Sequence, residues 1–371
     1  MKDVIGLISA NFTTEDMQGL SDERSIASMP FAGRYRLVDF ALSNMINAGI
    51  TAVGLVTPYK FRSLMDHIGT GSAWMLDRKK GGLYILPGST YGMSSRSDRF
   101  LLCDIRQNDI FLRRSTSDYV LLTASNIIWN IDFRPFIRAH MESGADITML
   151  TQRGVRKNPH GRKVHKEGEK VLGISTGVDM EDDVFLDTFL ISRELLLQFL
   201  DWYSARDYLD IFDILKDDYE KMDIRTWYYD GYARMVFSID NYFNANMDLL
   251  DMDINGAIFD EHNPIRTKVQ DCIPARMYPE SSVRNSLISS GCAIWGEVDG
   301  SVLFRGVTVE EGAIVRNSVI MQSCIIKSGA IVKDAVIDRN NLIGKGMIIK
   351  GSSNDIYVMR KEQRIARRAG S

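Results

Sequence analysis

The sequence predicts an α/β protein made of two parts: a Rossmann-like domain over residues 1–250 and a parallel β-helix of hexapeptide units over residues 281–360. Residues 251–280 read as a linker and residues 361–371 as a basic tail. Three observations carry this. The chain has 371 residues, 45% of them hydrophobic, enough for two cores but long for one. Up to about residue 250, short apolar runs alternate with stretches of helical period. From Ser281 the helical period vanishes and a short repeat takes over.

The first apolar run, residues 4–9, is continuous, as a buried parallel strand requires. Leu42, Met45 and Ile46 then fall on one side of a helix over 41–48. A strand over 52–57 runs into Pro58, and a helix is expected over 61–68. Strands over 119–123 and 146–151 flank a helix over 133–143, whose Phe136, Ile137 and His140 share a face. A strand over 185–191 leads into a helix over 194–203. Strands that alternate with helices imply a largely parallel sheet covered on both faces, with ligands beyond the carboxyl ends of the strands. The basic stretch 153–170 contains Arg153, Arg156, Lys157, Arg162, Lys163, Lys166 and Lys170. Glu167 and Glu169 interrupt it, so it reads as a solvated excursion in preference to a phosphate loop.

The repeat is explicit. VRNSLI, VDGSVL, VRNSVI and VKDAVI begin at Val283, Val298, Val315 and Val332. Each coil of such a solenoid points one aliphatic residue per face inward onto the coil before it. Glycine, Asn and Ser take the corners, where positive φ or a tight turn is needed. The open ends of the stack call for a cap or an oligomer.

Composition narrows the function. A net charge of −3 gives no general attraction to nucleic acid or anionic membrane. No apolar run is long enough for a membrane span or a signal peptide, so a cytoplasmic protein is expected. Cys103, Cys272, Cys292 and Cys324 lack metal-ligand spacing and read as free thiols of a reducing compartment.

The stretch 30–50, PFAGRYRLVDFALSNMINAGI, resembles a signature of the bacterial glucose-1-phosphate adenylyltransferases, also called ADP-glucose pyrophosphorylases. Tyr59, His67 and Ile68 fall at two further elements of that family. The strand from Tyr119 and the stretch 242–249, YFNANMDL, match two more. The resemblance runs from about residue 3 to 360. It implies a nucleotidyltransferase domain with a GT-A-like mixed sheet, a left-handed β-helix, and tetramers.

Against that family the catalytic parts are missing. Sugar nucleotidyl transfer relies on positioned cations and Mg²⁺, and Mg²⁺ needs hard oxygen ligands. The glycine-rich phosphate loop is replaced by residues 9–19, where Glu15 and Asp16 add negative charge. Ile26 stands where the family has a phosphate-binding lysine. The two metal aspartates correspond to Asn126 and Met235, and Phe237 replaces a glycine. The family's sugar-phosphate motif has no counterpart between residues 172 and 187, and residues 100–104 replace its helix start. Such losses on a kept scaffold resemble the GlgD-type regulatory subunits of the family. The resemblance then implies a largely non-catalytic chain without a metal, with Mg²⁺ only in a catalytic partner subunit.

Within the matched region, Arg24, Arg34 and Arg36 are candidates for a small anionic effector, because in the family arginines at the positions of Arg24 and Arg36 form such a site between the domains. Glu23 and Pro30 replace two other family contacts there. The expected partner is a catalytic glucose-1-phosphate adenylyltransferase subunit in a hetero-oligomer, with a homo-oligomer as the form this chain could take alone. An alternative is an active adenylyltransferase with a rearranged site, whose metal ligands come from Asp16, Asp98, Asp104, Asp132 or Asp240. An acyltransferase would need a histidine on the β-helix, and none follows His262.

Overall fold

The computed structural model describes residues 3–12, 17–89, 98–352 and 355–365. The N-terminal domain is built on a nine-stranded mixed sheet. Its chain begins with strand β1 (Val4–Ser9), a short hairpin β2 (Pro30–Phe31) and β3 (Tyr35–Arg36), and helix α1 (Leu37–Asn47). Strand β4 (Ala52–Thr57), helix α2 (Arg62–Ile68), strand β5 (Gly82–Pro87) and helices α3 (Leu102–Gln107) and α4 (Asp109–Arg113) follow. Next come β6 (Tyr119–Ala124), β7 (Ile127–Trp129), α5 (Phe133–Ser143), β8 (Ile147–Arg153), β9 (Asn158–Glu167), β10 (Lys170–Val178) and β11 (Asp183–Ser192). The domain ends with α6 (Arg193–Trp202), α7 (Ile211–Ile214), β12 (Ile224–Tyr228), β13 (Ala233–Met235), α8 (Ile239–Asp248) and α9 (Met252–Ile258).

The sheet order is β5-β4-β1-β6-β11-β8-β12-β10-β9. Strands β5, β4, β1 and β6 are parallel, and β11 enters antiparallel between β6 and β8. All six residues of β1 are buried, which is why its run is continuously apolar. Helix α1 lies against it through Met45, whose Sδ would be 2.4 Å from a Cβ at position 6, so Gly6 permits the approach. The helix starts at Leu37, earlier than its spacing predicts, because Asp39 accepts a bond from the Arg36 amide at 2.9 Å and closes the first turn.

The basic stretch 153–170 is a correction. From Asn158 it forms the hairpin arm β9–β10, turning at Gly168 (φ 60°), so it is regular structure in the sheet; Arg153, Arg156, Lys157 and Lys170 are exposed as expected, and Arg162 alone of its cations is buried. Val164 and Val171 bury one face of the arm, and Arg162 is 6% exposed.

The C-terminal part is a parallel β-helix. Val283, Val298, Val315 and Val332 stack in register, as their repeat demands. Val298, Val315, Val332, Leu303, Ile320 and Ile337 form its inner core. Asn285, Asn317 and Asp334 take positive φ at one corner, and Asn317 donates to Asp334 at 2.6 Å. The coil reaches beyond both limits read from sequence. Its first rung, Arg276–Met277, pairs with Ala293–Ile294 within the stretch read as a linker, which also holds α9. Its last described rung, Arg364–Ile365, pairs with Leu342–Ile343 within the basic tail. Short two-residue rungs carry too little pattern to be read locally; their neighbours define them.

The domains share a seam. An outward row of the coil, Val302, Val319 and Val336, is fully buried in the core of the N-terminal domain, with Leu287 and Val358 packed at its ends. Arg24 clasps the seam through a buried ion pair with Asp338.

Candidate nucleotide cleft

In a sheet of this order, ligands bind beyond the carboxyl ends of the parallel strands. There the chain leaves β1 through Ser9, whose hydroxyl donates to the Arg99 carbonyl. The Asn11 amide nitrogen donates to the Ser89 carbonyl and to Asp104 Oδ2, both at 2.9 Å. Asp104 also accepts from the Ser89 amide at 2.6 Å; burial pushes its carboxyl up, and these donors offset part of the rise. Residues 13–16 of this loop, including Glu15 and Asp16, lie outside the described residues.

The cleft is occupied by the protein itself. The Arg99 guanidinium sits 4.6 Å from the Phe12 ring centroid and 4.7 Å from that of Phe237. Phe12, Phe237 and Arg99 are all buried. Behind them runs a chain of buried ion pairs: Arg99 to Asp187 at 3.5 Å, Arg162 to Asp187 at 3.9 Å, and Arg162 to Asp210 at 2.8 Å. Asp210 further accepts the amides of Arg99, Phe100 and Phe212 at 2.7, 2.9 and 3.0 Å. Burial lowers Arg99 to about 10, with Asp187 opposing, so it stays cationic at neutral pH. Burial also works against the charges of Arg162 and Asp210, but their pairing outweighs it: Arg162 is raised and Asp210 held below the usual carboxylate range. For Asp187 burial prevails over Arg162 and Arg99, and its carboxyl is pushed up.

The structure brings Asn126 and Met235 together and leaves Ile26 elsewhere. Met235 pairs with Ile127 in the β13–β7 ladder, and the Val236 amide donates to the Asn126 carbonyl at 2.9 Å. The Asn126 side chain is fully buried; its Nδ2 donates to the Val236 carbonyl at 3.0 Å, and its Oδ1 has no hydrogen-bond partner among the described residues. Ile26 is 2% exposed and packs in the hydrophobic core through a 3₁₀ turn.

One neutral oxygen beside a thioether does not suit magnesium, which takes carboxylates, phosphates and water. The other candidate carboxylates that are described sit on separate elements. Asp98 precedes Arg99 in the loop before α3, Asp104 is on α3, Asp132 caps α5 through the Arg134 amide at 2.9 Å, and Asp240 is in the first turn of α8. Among the described residues no three His, Cys, Asp or Glu side chains converge on a metal position.

Beside Met235 a shallow open groove is lined by Arg153, Arg156, Lys157, Arg234 and Asn241. Arg156, 4.0 Å from Asp248, and Lys157, 3.6 Å from Asp179, are loosely held, whereas Arg234 donates to Asp248 at 3.0 Å.

The three arginines singled out in the sequence part company. Arg24 is 6% exposed and bound to Asp338, with its Nε donating to the Leu20 carbonyl at 2.9 Å. Arg36 donates to the carbonyl and hydroxyl of Ser63, both at 2.7 Å. Burial lowers Arg36 to about 10, and the nearby positive charges of Arg24 and Arg339 push the same way. Arg34 lies apart, over the Tyr35 ring at 5.3 Å, in an open groove of about 410 Å³ between the domains, shared with Ser289, Ser290 and Arg305. Glu23 pairs with Lys361 at 3.0 Å across the seam.

Sequence reasoning did not find Phe12, Arg99, Asp187 and Asp210 as a set. Asp210 alone left a local sign, as the residue before a short helix that it caps. The other three meet only in space.

A nucleotidyl transferase family model matches residues 15–171, and a GlmU-like C-terminal hexapeptide model matches residues 273–356. The glycogen biosynthesis protein GlgD of Geobacillus stearothermophilus is 34% identical over 312 residues, covering 84% of this chain and 82% of that protein. The chain belongs to the GlgD family. GlgD of Bacillus subtilis strain 168 is 32% identical over 310 residues, 83% of this chain and 81% of its own. The glucose-1-phosphate adenylyltransferase of the same strain is 29% identical over 324 residues, 83% of each chain. As a GlgD family member the chain joins a nucleotidyltransferase fold to a hexapeptide β-helix. No helix among the described residues is long and apolar enough to cross a membrane.

Proposed function

We propose that this chain is a regulatory, largely non-catalytic subunit of a glucose-1-phosphate adenylyltransferase in glycogen biosynthesis, acting by pairing with and modulating a catalytic subunit. One observation carries the reading: Arg99, between Phe12 and Phe237, fills the cleft where a triphosphate would need open space and free cations. The neutral Asn126 and Met235 at the family's metal positions support it. Magnesium then belongs to the partner's site. Cys103, Cys292 and Cys324, buried as free thiols, suit work in the reducing cytoplasm.

Effector control is part of the proposal. Arg36, with Arg339 beside it, and Arg34, across a groove from Arg305, are positions at which a small anion would act. Arg24 joins such a site only by leaving Asp338, so an anion there would loosen the seam.

The test is a paired assay with ATP, Mg²⁺ and glucose-1-phosphate on this chain alone, on the catalytic subunit alone, and on the two co-expressed. The expected result is negligible turnover for this chain and a changed turnover or substrate affinity for the pair. ADP-glucose formed by the isolated chain at the catalytic subunit's rate overturns the reading.

A further inference from the structure

The cleft lies at the carboxyl ends of the parallel strands, and a second cavity opens at their amino ends. It is an open groove of about 540 Å³ where β1 and β4 begin, bounded by the edge strand β5 and helix α4. Its floor is apolar and includes Val4, Leu86 and Phe111, all buried. Gly54 of β4 lets this floor close up, since a Cβ there would lie 2.6 Å from Leu86 and 3.0 Å from Phe111. The Tyr84 ring meets that of Phe111 with centroids 5.1 Å apart, yet Tyr84 and Ile110, both in the wall of the groove, are 43% and 52% exposed.

The polar part of the lining is cationic. Lys80 comes from the loop before β5, which the Gly82 amide fixes by donating to the Thr51 carbonyl at 2.7 Å. Arg114 closes α4, its amide donating to the Ile110 carbonyl at 3.1 Å. Both side chains are exposed and neither has an ion pair among the described residues, whereas Arg113 next to Arg114 is held by Asp109 at 2.6 Å. The chain has 48 Asp and Glu to 45 Lys and Arg, so carboxylates are not scarce, but none lines this groove among the described residues. Thr51 and Thr116 add hydroxyl groups. An apolar wall with an exposed aromatic ring and a few cations is the composition of a small-molecule site.

We propose that this groove binds a small organic anion with a flat aromatic body. The body lies against Tyr84 and Ile110, where it covers apolar surface, and an anionic head of the phosphate type pairs with Lys80 and Arg114. The site is distinct from the cleft: Val4 is in the groove and Ser9 reaches the cleft, so at about 3.3 Å per residue β1 holds the two about 16 Å apart. It shares no residue with the positions Arg24, Arg34 and Arg36, and it stands whether or not the chain is a regulatory subunit.

The experiment titrates 1-naphthyl phosphate into the full chain and reads the probe's fluorescence and the heat of binding. One saturable site is expected, at least tenfold tighter for the probe than for inorganic phosphate or 1-naphthol. Lys80→Gln with Arg114→Gln should weaken binding at least tenfold, by a factor that shrinks as salt rises. Tyr84→Ser should weaken it several-fold, and Arg113→Gln should leave it unchanged. All four positions are exposed, and retained thermal midpoints confirm that the variants fold. Unaltered affinity in the Lys80 and Arg114 variant, or binding lost on Arg34→Gln instead, overturns the inference. So does inorganic phosphate bound as tightly as the probe, which makes this a bare anion site, or 1-naphthol bound as tightly, which leaves the cations no part. The absence of saturable binding at millimolar probe overturns it as well.

Discussion

The row Val302, Val319 and Val336 and the row Ile314, Ile331 and Ile348 climb two faces of one β-helix, with the same chemistry and the same rung spacing. The valines are fully buried under the N-terminal domain, whereas Ile314 and Ile331 are half-buried and Ile348 is 65% exposed. The repeat that builds the coil fixes which residues point outward, but not what lies over them. A hexapeptide unit therefore specifies its own coil and leaves its outer faces to be claimed by something else.

The contrast is sharpened most by a charge placed under the cover. Val319→Asp puts a carboxylate in the seam with no partner, and about 3 kcal/mol or more of stability should be lost, read as a fall in the unfolding midpoint. A change under 1 kcal/mol would mean that the seam opens in solution and that the two rows are equivalent. Next in size is Arg24→Ala, which strands Asp338 in the seam. About 3 kcal/mol should go, with Arg24→Ala and Asp338→Asn together costing less than the sum of the two.

Arg99→Ala tests whether the cleft in the covering domain is filled as a core is filled. It leaves a gap between Phe12 and Phe237 and removes one cation from Asp187, so a loss of about 2–4 kcal/mol is expected. Millimolar guanidinium, which has the missing shape and charge, should restore part of the midpoint in this variant and none in the wild type. Smallest is Ile331→Thr in the isolated chain, where a surface position should move stability by no more than about 0.5 kcal/mol. A large loss there would show that the partly open row is already covered, and the comparison with Val319 would collapse.

How much of this was legible in the sequence follows from the range of the interactions. The β1 strand, α5 and the register of Val283, Val298, Val315 and Val332 depend on patterns a few residues long, and they stand where those patterns put them. The strand pairing of the arm β9–β10 was not legible because its cations, most of them solvated, hide its pattern; Arg162 is buried only because Asp187 and Asp210 wait for it. The neutral character of Asn126 and Met235 was visible as residue types. What fills the space they border was not.

By itself, then, the sequence determined an α/β domain, a β-helix in fixed register, and the neutral residues Asn126 and Met235 at the two positions where the family resemblance implies a metal. These follow from local periodicity and from the identity of single residues. Only the tertiary structure decided that Arg99 closes the cleft, that Arg24 clasps the seam, and that one aliphatic row is fully covered while another is left partly open. Each of those joins residues far apart in the chain, such as Phe12 with Phe237 and Arg24 with Asp338, and no spacing in one dimension encodes such a meeting.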